Sequence, residues 1–235
     1  MGFFKDMIAV FKKRELGFIE RIQESDDVYS FIFEKDKTLT WQAGQYGLFS
    51  IAHKSIKNPT KPFSIAAAPA EQVVRLTTVI RDQPSEFKQA LMELKQGMAV
   101  KMSGPVGHFN VDTSSPALLV AGGIGITPFR AILKQMEAVG RRGENPIHLL
   151  YLDSDREHVF REELDGISEN LSIGISYLDS KEQLYQEIDS FNKQHKHAGK
   201  YSLAGPKSMI DSLADHLQKH EVLKKSIKMD SFFGY

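Results

Sequence analysis

The chain has 235 residues, enough for one large domain or two of ordinary size, and 41% apolar residues exclude wholesale disorder. Its 30 Lys and Arg balance 30 Asp and Glu, which excludes the basic excess that bulk nucleic-acid binding needs. With no cysteine, disulfides, thiolate metal sites, iron–sulfur clusters of the usual kind and thiol nucleophiles are all excluded.

No apolar run approaches the roughly 20 residues of a membrane span. The N-terminus lacks the apolar core and cleavage site of a signal peptide, so a soluble, cytoplasmic protein is expected. Residues 1–14 carry Phe3, Phe4, Met7, Ile8 and Phe11 at helical spacing, ringed by Lys5, Lys12, Lys13 and Arg14. An amphipathic helix there would cover a barrel end or a second subunit, or dock on a membrane surface or partner.

Short β-type runs follow at Gly17–Ile22, Val28–Glu34, Tyr46–Ile51, Phe63–Ala67, Val73–Ile80 and Ala99–Ser103, with one helical stretch at Ser85–Leu94. About six short strands at this spacing predict an antiparallel barrel over residues 15–112. After a polar stretch at Asp112–Pro116 the rhythm changes to strand–helix alternation through 116–235. Strands are predicted at Ala117–Ala121, Ile147–Leu152, Ser172–Leu178, Tyr201–Ala204 and Ile227–Phe232. Helices are predicted at Pro128–Val139, Arg156–Leu164, Glu182–Asn192 and Pro206–Lys219, a pattern that gives a parallel sheet covered on both sides.

The most informative local feature is Leu118-Leu119-Val120-Ala121-Gly122-Gly123-Ile124-Gly125-Ile126-Thr127-Pro128. A buried strand runs into Gly122, Gly123 and Gly125, whose backbone can turn sharply and approach a ligand directly. Thr127 reads as an N-cap and Pro128 as the first helical residue, so the segment is a place to hold a phosphate. The eight histidines show no metal pattern, His195 and His197 reading as a solvated turn, so no metal is expected. No Ser–His–Asp order stands out. The basic run His53–Lys61 reads as a solvated loop, or as a patch that steers an acidic electron partner.

The layout and its motifs resemble the ferredoxin–NADP reductase superfamily of flavoenzymes. Lys61-Pro62-Phe63-Ser64 is similar to that family's Arg-x-Tyr-Ser flavin motif, with lysine in place of arginine. Gly104-Pro105-Val106-Gly107-His108-Phe109 is similar to its Gly-Pro-x-Gly-x-Phe junction, and Gly122–Pro128 to its nicotinamide-dinucleotide loop. Ala204-Gly205-Pro206 with Met209, and the ending Asp230-Ser231-Phe232-Phe233-Gly234-Tyr235, are similar to its Cys-Gly-Pro-x-x-Met and acidic-x-Phe-x-Gly-Tyr segments.

The resemblance implies a six-stranded antiparallel Greek-key β-barrel followed by a doubly wound parallel α/β domain. It implies that Ser64 hydrogen-bonds flavin N5, that Phe63 beside Pro62 lies against the flavin, and that Lys61 neutralises a flavin phosphate. The helix opening at Ser85, Glu86 and Phe87 would take the other phosphate on its free N–H groups. FAD is expected, with FMN the alternative. Gly122, Gly123, Gly125, Thr127 and Pro128 would hold the pyrophosphate of NADH or NADPH, with Gly205 and Pro206 beside the nicotinamide. Ala204 stands where relatives place cysteine. Asp153 and Asp155 lean towards NADH, whereas Arg156 leans towards the 2′-phosphate of NADPH. Asp230 matches an acidic position that assists electron transfer, and Tyr235, or equally Phe232 or Phe233, would cover the flavin face.

The function implied is a flavin-dependent NAD(P)H oxidoreductase that passes hydride to flavin N5 and electrons to a protein acceptor. That acceptor would be a ferredoxin, a flavodoxin, or an oxygenase or membrane subunit. Two alternatives stay open: a non-catalytic flavin- or nucleotide-binding subunit, and a free-flavin or ferric-chelate reductase.

Overall fold

The structure, a computed structural model, describes residues 13–140 and 145–232. They divide into two compact units, one ending at His108 and one beginning at Phe109. Most of the expected N-terminal helix, and Tyr235, lie outside the described residues. Arg14, expected in that helix, is instead the first residue of strand β1 (Arg14–Gln23).

The first unit adds β2 (Val28–Glu34), β3 (Tyr46–Ile51), β4 (Thr60–Ser64), β5 (Val73–Val79) and β6 (Ala99–Val106). They form one six-stranded sheet in the order β4-β3-β6-β1-β2-β5, with every neighbouring pair antiparallel. Strand alternation sorts the side chains: Gly47, Phe49 and Ile51 of β3 are buried while Tyr46, Leu48 and Ser50 are half-buried. Leu16, Phe31, Phe33, Phe49, Leu76 and Val100 fill the interior and have no exposed surface.

β4 lies upstream of the expected Phe63–Ala67. The apolar run Ile65–Ala68 is buried but leaves the ladder with β3, because its amides are needed elsewhere. Ile65 N–H donates to Gln45 O at 3.0 Å and Ala66 N–H to Arg75 O of β5 at 2.8 Å. The latter bond joins the two edges of the sheet, closing it as a barrel removes its edges. Trp41 Nε1–H donates to Ala67 O at 3.0 Å, giving a buried indole its partner. Helix α1 (Glu86–Met92) buries Phe87, Ala90 and Leu91 against the same core.

The second unit holds β7 (Ala117–Gly122), β8 (Ile147–Leu152), β9 (Gly174–Leu178), β10 (Lys200–Pro206) and β11 (Ile227–Phe232). All pair in parallel, in the order β11-β10-β7-β8-β9. Helices α2 (Ile126–Ala138), α3 (Arg161–Leu171), α4 (Lys181–His195) and α5 (Lys207–Lys219) connect them. Leu118 and Val120 of β7 pack in one core with Leu184, Ile188 and Phe191 of α4 and Ile210, Leu213 and Leu217 of α5. The alternate residues Leu119 and Ala121 are equally buried and point to the opposite face. On the α2 and α3 pair, Arg130 is 2% exposed and holds Glu163 through two bonds of 2.8 and 2.7 Å.

α3 begins later and runs further than the expected Arg156–Leu164. Both carboxylate oxygens of Asp153 accept backbone N–H groups, from Asp155 at 3.1 Å and His158 at 3.2 Å. Those bonds hold a coil in which Arg156, His158 and Phe160 all have positive φ, so no helix can start before Arg161. Gly166 lies inside the helix, where its propensity cost of about 1 kcal/mol masks the continuing Leu164, Ile167, Leu171 face.

Candidate functional site

The strand order reverses between β7 and β10: from β7 the chain builds outward through β8 and β9, then returns to add β10 and β11 on the other side. A crevice at the carboxyl ends of the strands at such a switch point is where open α/β sheets take ligands. Here those ends are Gly122 and the Ala204-Gly205-Pro206 turn.

The glycines in this turn serve different ends. A Cβ on Gly125 would lie 2.2 Å from Ala204 O, and one on Gly122 would lie 2.4 Å from Met209 Sδ. Gly205, at φ +156°, presses on the backbone of Gly122, its added Cβ 3.2 Å from Gly122 N. These glycines let the β7 and β10 turns touch each other. Gly123 differs: at φ +51° it needs the left-handed region, yet among the described residues nothing lies within 4 Å of its missing side chain. It is the open position in the loop.

A short 3₁₀ turn, Gly123–Gly125, leads into α2, so Thr127 and Pro128 fall inside the helix, later than expected. Thr127 is not the N-cap; its hydroxyl donates to Ile124 O at 3.1 Å. Pro128 still sits in the first turn, where its missing N–H leaves no bond unmade. Phe109 packs on Phe129 of α2 with ring centroids 5.4 Å apart.

Register places Ala121, Ala204 and Asp230 in one row across β7, β10 and β11, and Pro206 opposite Phe232. Burial pushes the Asp230 carboxyl up to about 6. Thus Gly122–Pro128, Gly205, Pro206, Asp230 and Phe232 converge at one end of the parallel sheet. Asp153 and Arg156 follow the neighbouring strand β8. Arg156 pairs with Asp179 at 2.6 Å, and the Asp153 carboxylate is occupied by its own loop.

The remaining expected residues lie in the barrel unit. Lys61 and Pro62 of β4 are exposed, and Phe63 is half-buried, stacked on Phe87 at 5.5 Å and edge-on to Phe49 at 6.1 Å. Phe63 and Phe87 therefore share the barrel's own aromatic cluster. Ser85 caps α1 by accepting from Lys88 N–H at 3.4 Å, and Glu86 accepts from Lys57 N–H at 3.0 Å. Ser64 is 6% exposed, and its Oγ is buried with no hydrogen-bond partner among the described residues. A buried hydroxyl with no protein partner fits a ligand heteroatom, and on that observation the residues fit a flavin. Gly104 near the end of β6 and Gly107 just beyond it have φ of +104° and +94°, and Gln45 Nε2–H holds Gly107 O at 3.0 Å. Gln45 and Met209 support the two motifs directly. Met209 was legible from its spacing after Pro206, whereas nothing local marks Gln45.

No family model matches the chain. It is 30% identical over 143 residues to the carnitine monooxygenase reductase subunit of Acinetobacter baumannii, covering 60% of this chain and 42% of that one. It is 22% identical over 237 residues to the toluate 1,2-dioxygenase electron transfer component of Pseudomonas putida, covering 91% and 65%. The chain thus spans 42% to 65% of the length of these two relatives. Among solved structures, the FAD/NAD-binding domain of a Vibrio cholerae nitric oxide dioxygenase superposes with a TM-score of 0.77 at 24% identity, covering 93% of this chain and 98% of that one. Ferredoxin–NADP+ reductase of Plasmodium falciparum gives 0.79 at 17% identity, covering 94% and 96%. The antiparallel barrel and the reversed parallel sheet thus have the fold of that FAD/NAD-binding domain and of ferredoxin–NADP+ reductase.

Proposed function

We propose that the chain is an NAD(P)H-dependent flavoprotein reductase that hands electrons to a protein acceptor. The observation that carries this reading is the buried, unpartnered Ser64 hydroxyl in a flavin-type motif, in a chain that also has a dinucleotide-type turn at a strand switch point. A bound flavin, FAD by preference, supplies hydride acceptance and single-electron release.

The residues contribute binding and orientation. Ser64 Oγ can donate or accept, so it satisfies a ring nitrogen in either protonation state. Lys61 and the α1 N-terminus with Ser85 offer positive charge and N–H groups to phosphate. Gly123 leaves its backbone bare to the dinucleotide. Ala204 keeps a small volume in the row shared with Asp230, whose raised affinity for protons lets it hold one near neutral pH. Arg156 is neutralised by Asp179, which favours NADH over NADPH. An oxygenase component is the favoured acceptor class, since the two relatives described above are named as reductase or electron-transfer components of oxygenases. The residues ahead of β1, 1–13, are proposed as its docking segment.

The test is one absorption spectrum of purified protein before and after anaerobic NADH, repeated with NADPH. A yellow protein bleached faster by NADH is expected. Colourless protein overturns bound flavin, unbleached flavin overturns the reductase, and a large NADPH preference overturns the cofactor choice.

A further inference from the structure

Away from the switch point, α4 and α5 bring together three side chains of metal-ligating type. One ligand atom each from Asp189, His216 and His220 lies within 4.8 Å of the others. His216 and His220 are separated by one turn at the C-terminal end of α5, and Asp189 comes from α4. None of them belongs to the site already described.

The surroundings orient these groups as a metal would require. His220 Nδ1–H donates to His216 O at 2.8 Å, which fixes the ring and leaves Nε2 as the lone-pair donor. Ligating histidines are normally held in this way through their second nitrogen. The His220 backbone is itself tied down, its carbonyl accepting from Asn192 Nδ2–H at 3.0 Å, while Asn192 Oδ1 accepts from the Tyr201 hydroxyl at 2.9 Å. His216 Nε2 faces Asp189 Oδ1 at 2.6 Å, with the Tyr185 ring packed 4.7 Å away.

The two imidazoles lie 4.2 Å apart and tilted by 38°. The negative end of the α5 dipole favours a cation beside them. Two imidazoles and a carboxylate suit zinc-class ions rather than calcium or magnesium, which prefer all-oxygen shells.

We infer that Asp189, His216 and His220 form a binding site for one zinc-class divalent transition-metal ion, with the remaining coordination open to solvent, clamping α4 to the end of α5. Ligands about 2.1 Å from a tetrahedral ion stand about 3.4 Å apart. The Asp189–His216 pair would therefore open by less than about 1 Å, within reach of an exposed aspartate, and the proton between them leaves to solvent.

The full chain, stripped with EDTA, is titrated with ZnCl2 by calorimetry, and with CoCl2 by visible spectroscopy. One equivalent of Zn²⁺ is expected, together with cobalt d–d bands. Asp189→Asn and His216→Gln should each weaken Zn²⁺ binding by more than about tenfold and abolish the cobalt bands. His197→Gln, on an exposed histidine elsewhere, should change neither. Circular dichroism checks that each variant folds, and Zn²⁺ should raise the melting temperature of the wild type but not of His216→Gln. Absence of stoichiometric binding, or equal binding by wild type and both site variants, overturns the assignment.

Discussion

Two glycines separated by a single residue in the β7–α2 turn answer to different physics. Gly125 is fixed by sterics, since its Cβ would meet the carbonyl of Ala204, a backbone atom that cannot step aside. Gly125→Ala should cost about 2–3 kcal/mol, as overpacking does, and lower the melting temperature of the second unit. Gly123→Ala meets no atom of the described residues and should cost only about 1–2 kcal/mol for its left-handed φ, while weakening the proposed nicotinamide binding. Thermal melts with and without NADH separate the two effects. The sequence shows three glycines and suggests one reason for all; the touching of the β7 and β10 turns needs coordinates. Asp230 makes a second residue-scale prediction. Its folded-state affinity for protons is raised above the ordinary 3.8 to about 6, so burial of the charged form destabilises the fold above pH 6. That penalty fades as pH falls from about 6 towards 4, because the folded state then takes up the proton first. Asp230→Asn should therefore stabilise the protein more at pH 7 than at pH 4.5, as chemical denaturation at the two values would show. Equal gains at both would exclude burial as the cause.

At the scale of elements, packing decided where periodicity was silent. β2, β3, β8 and β11 coincide with the runs read from sequence, because alternation or continuous apolar character marks both of their ends. β4 and α3 do not. In β4 the apolar residues continue past Ser64, but their amides bond across to Gln45 and β5, a non-local choice invisible to a window of sequence. In α3 the coil held by Asp153 delays the start. The Arg130–Glu163 pair, joining α2 to α3 with Arg130 2% exposed, lies 33 positions apart in sequence and leaves no local trace. Glu163→Ala should destabilise by about 3 kcal/mol, since a buried guanidinium would lose its bidentate carboxylate. A shift in urea midpoint without a change in slope is the expected reading. The histidines showed no metal pattern in sequence, because the carboxylate that faces His216 and His220, Asp189, comes from another helix.

At the scale of the whole molecule, the change from β-runs to strand–helix alternation carried the architecture, and the motif order carried the resemblance. The division falls at His108/Phe109, within the Gly104–Phe109 motif. Ser64 belongs to the first unit, and the glycine turn, Asp230 and Phe232 to the second. If each unit holds its own ligand, flavin should slow amide hydrogen exchange around β4 and α1, and a non-reducing nicotinamide dinucleotide should do so around Gly122–Pro128 and Ala204–Pro206. Stabilisation at a hundredfold excess over Kd amounts to about 2.7 kcal/mol, enough to resolve. Protection by flavin confined to the second unit would overturn the assignment of Ser64.

The contact of Gly125 with Ala204, and of Gly205 with Gly122, also sets the order in which the molecule can become competent. The turn after β7 is made early in synthesis, but the backbone it rests against arrives only with β10, after two further strands and their helices. Closing so long a loop is the slow kind of event in folding. A partly made or misfolded chain therefore carries the glycine signature without the packed turn. Under the proposed function, nicotinamide binding becomes a proofreading mark that only the finished α/β unit can display.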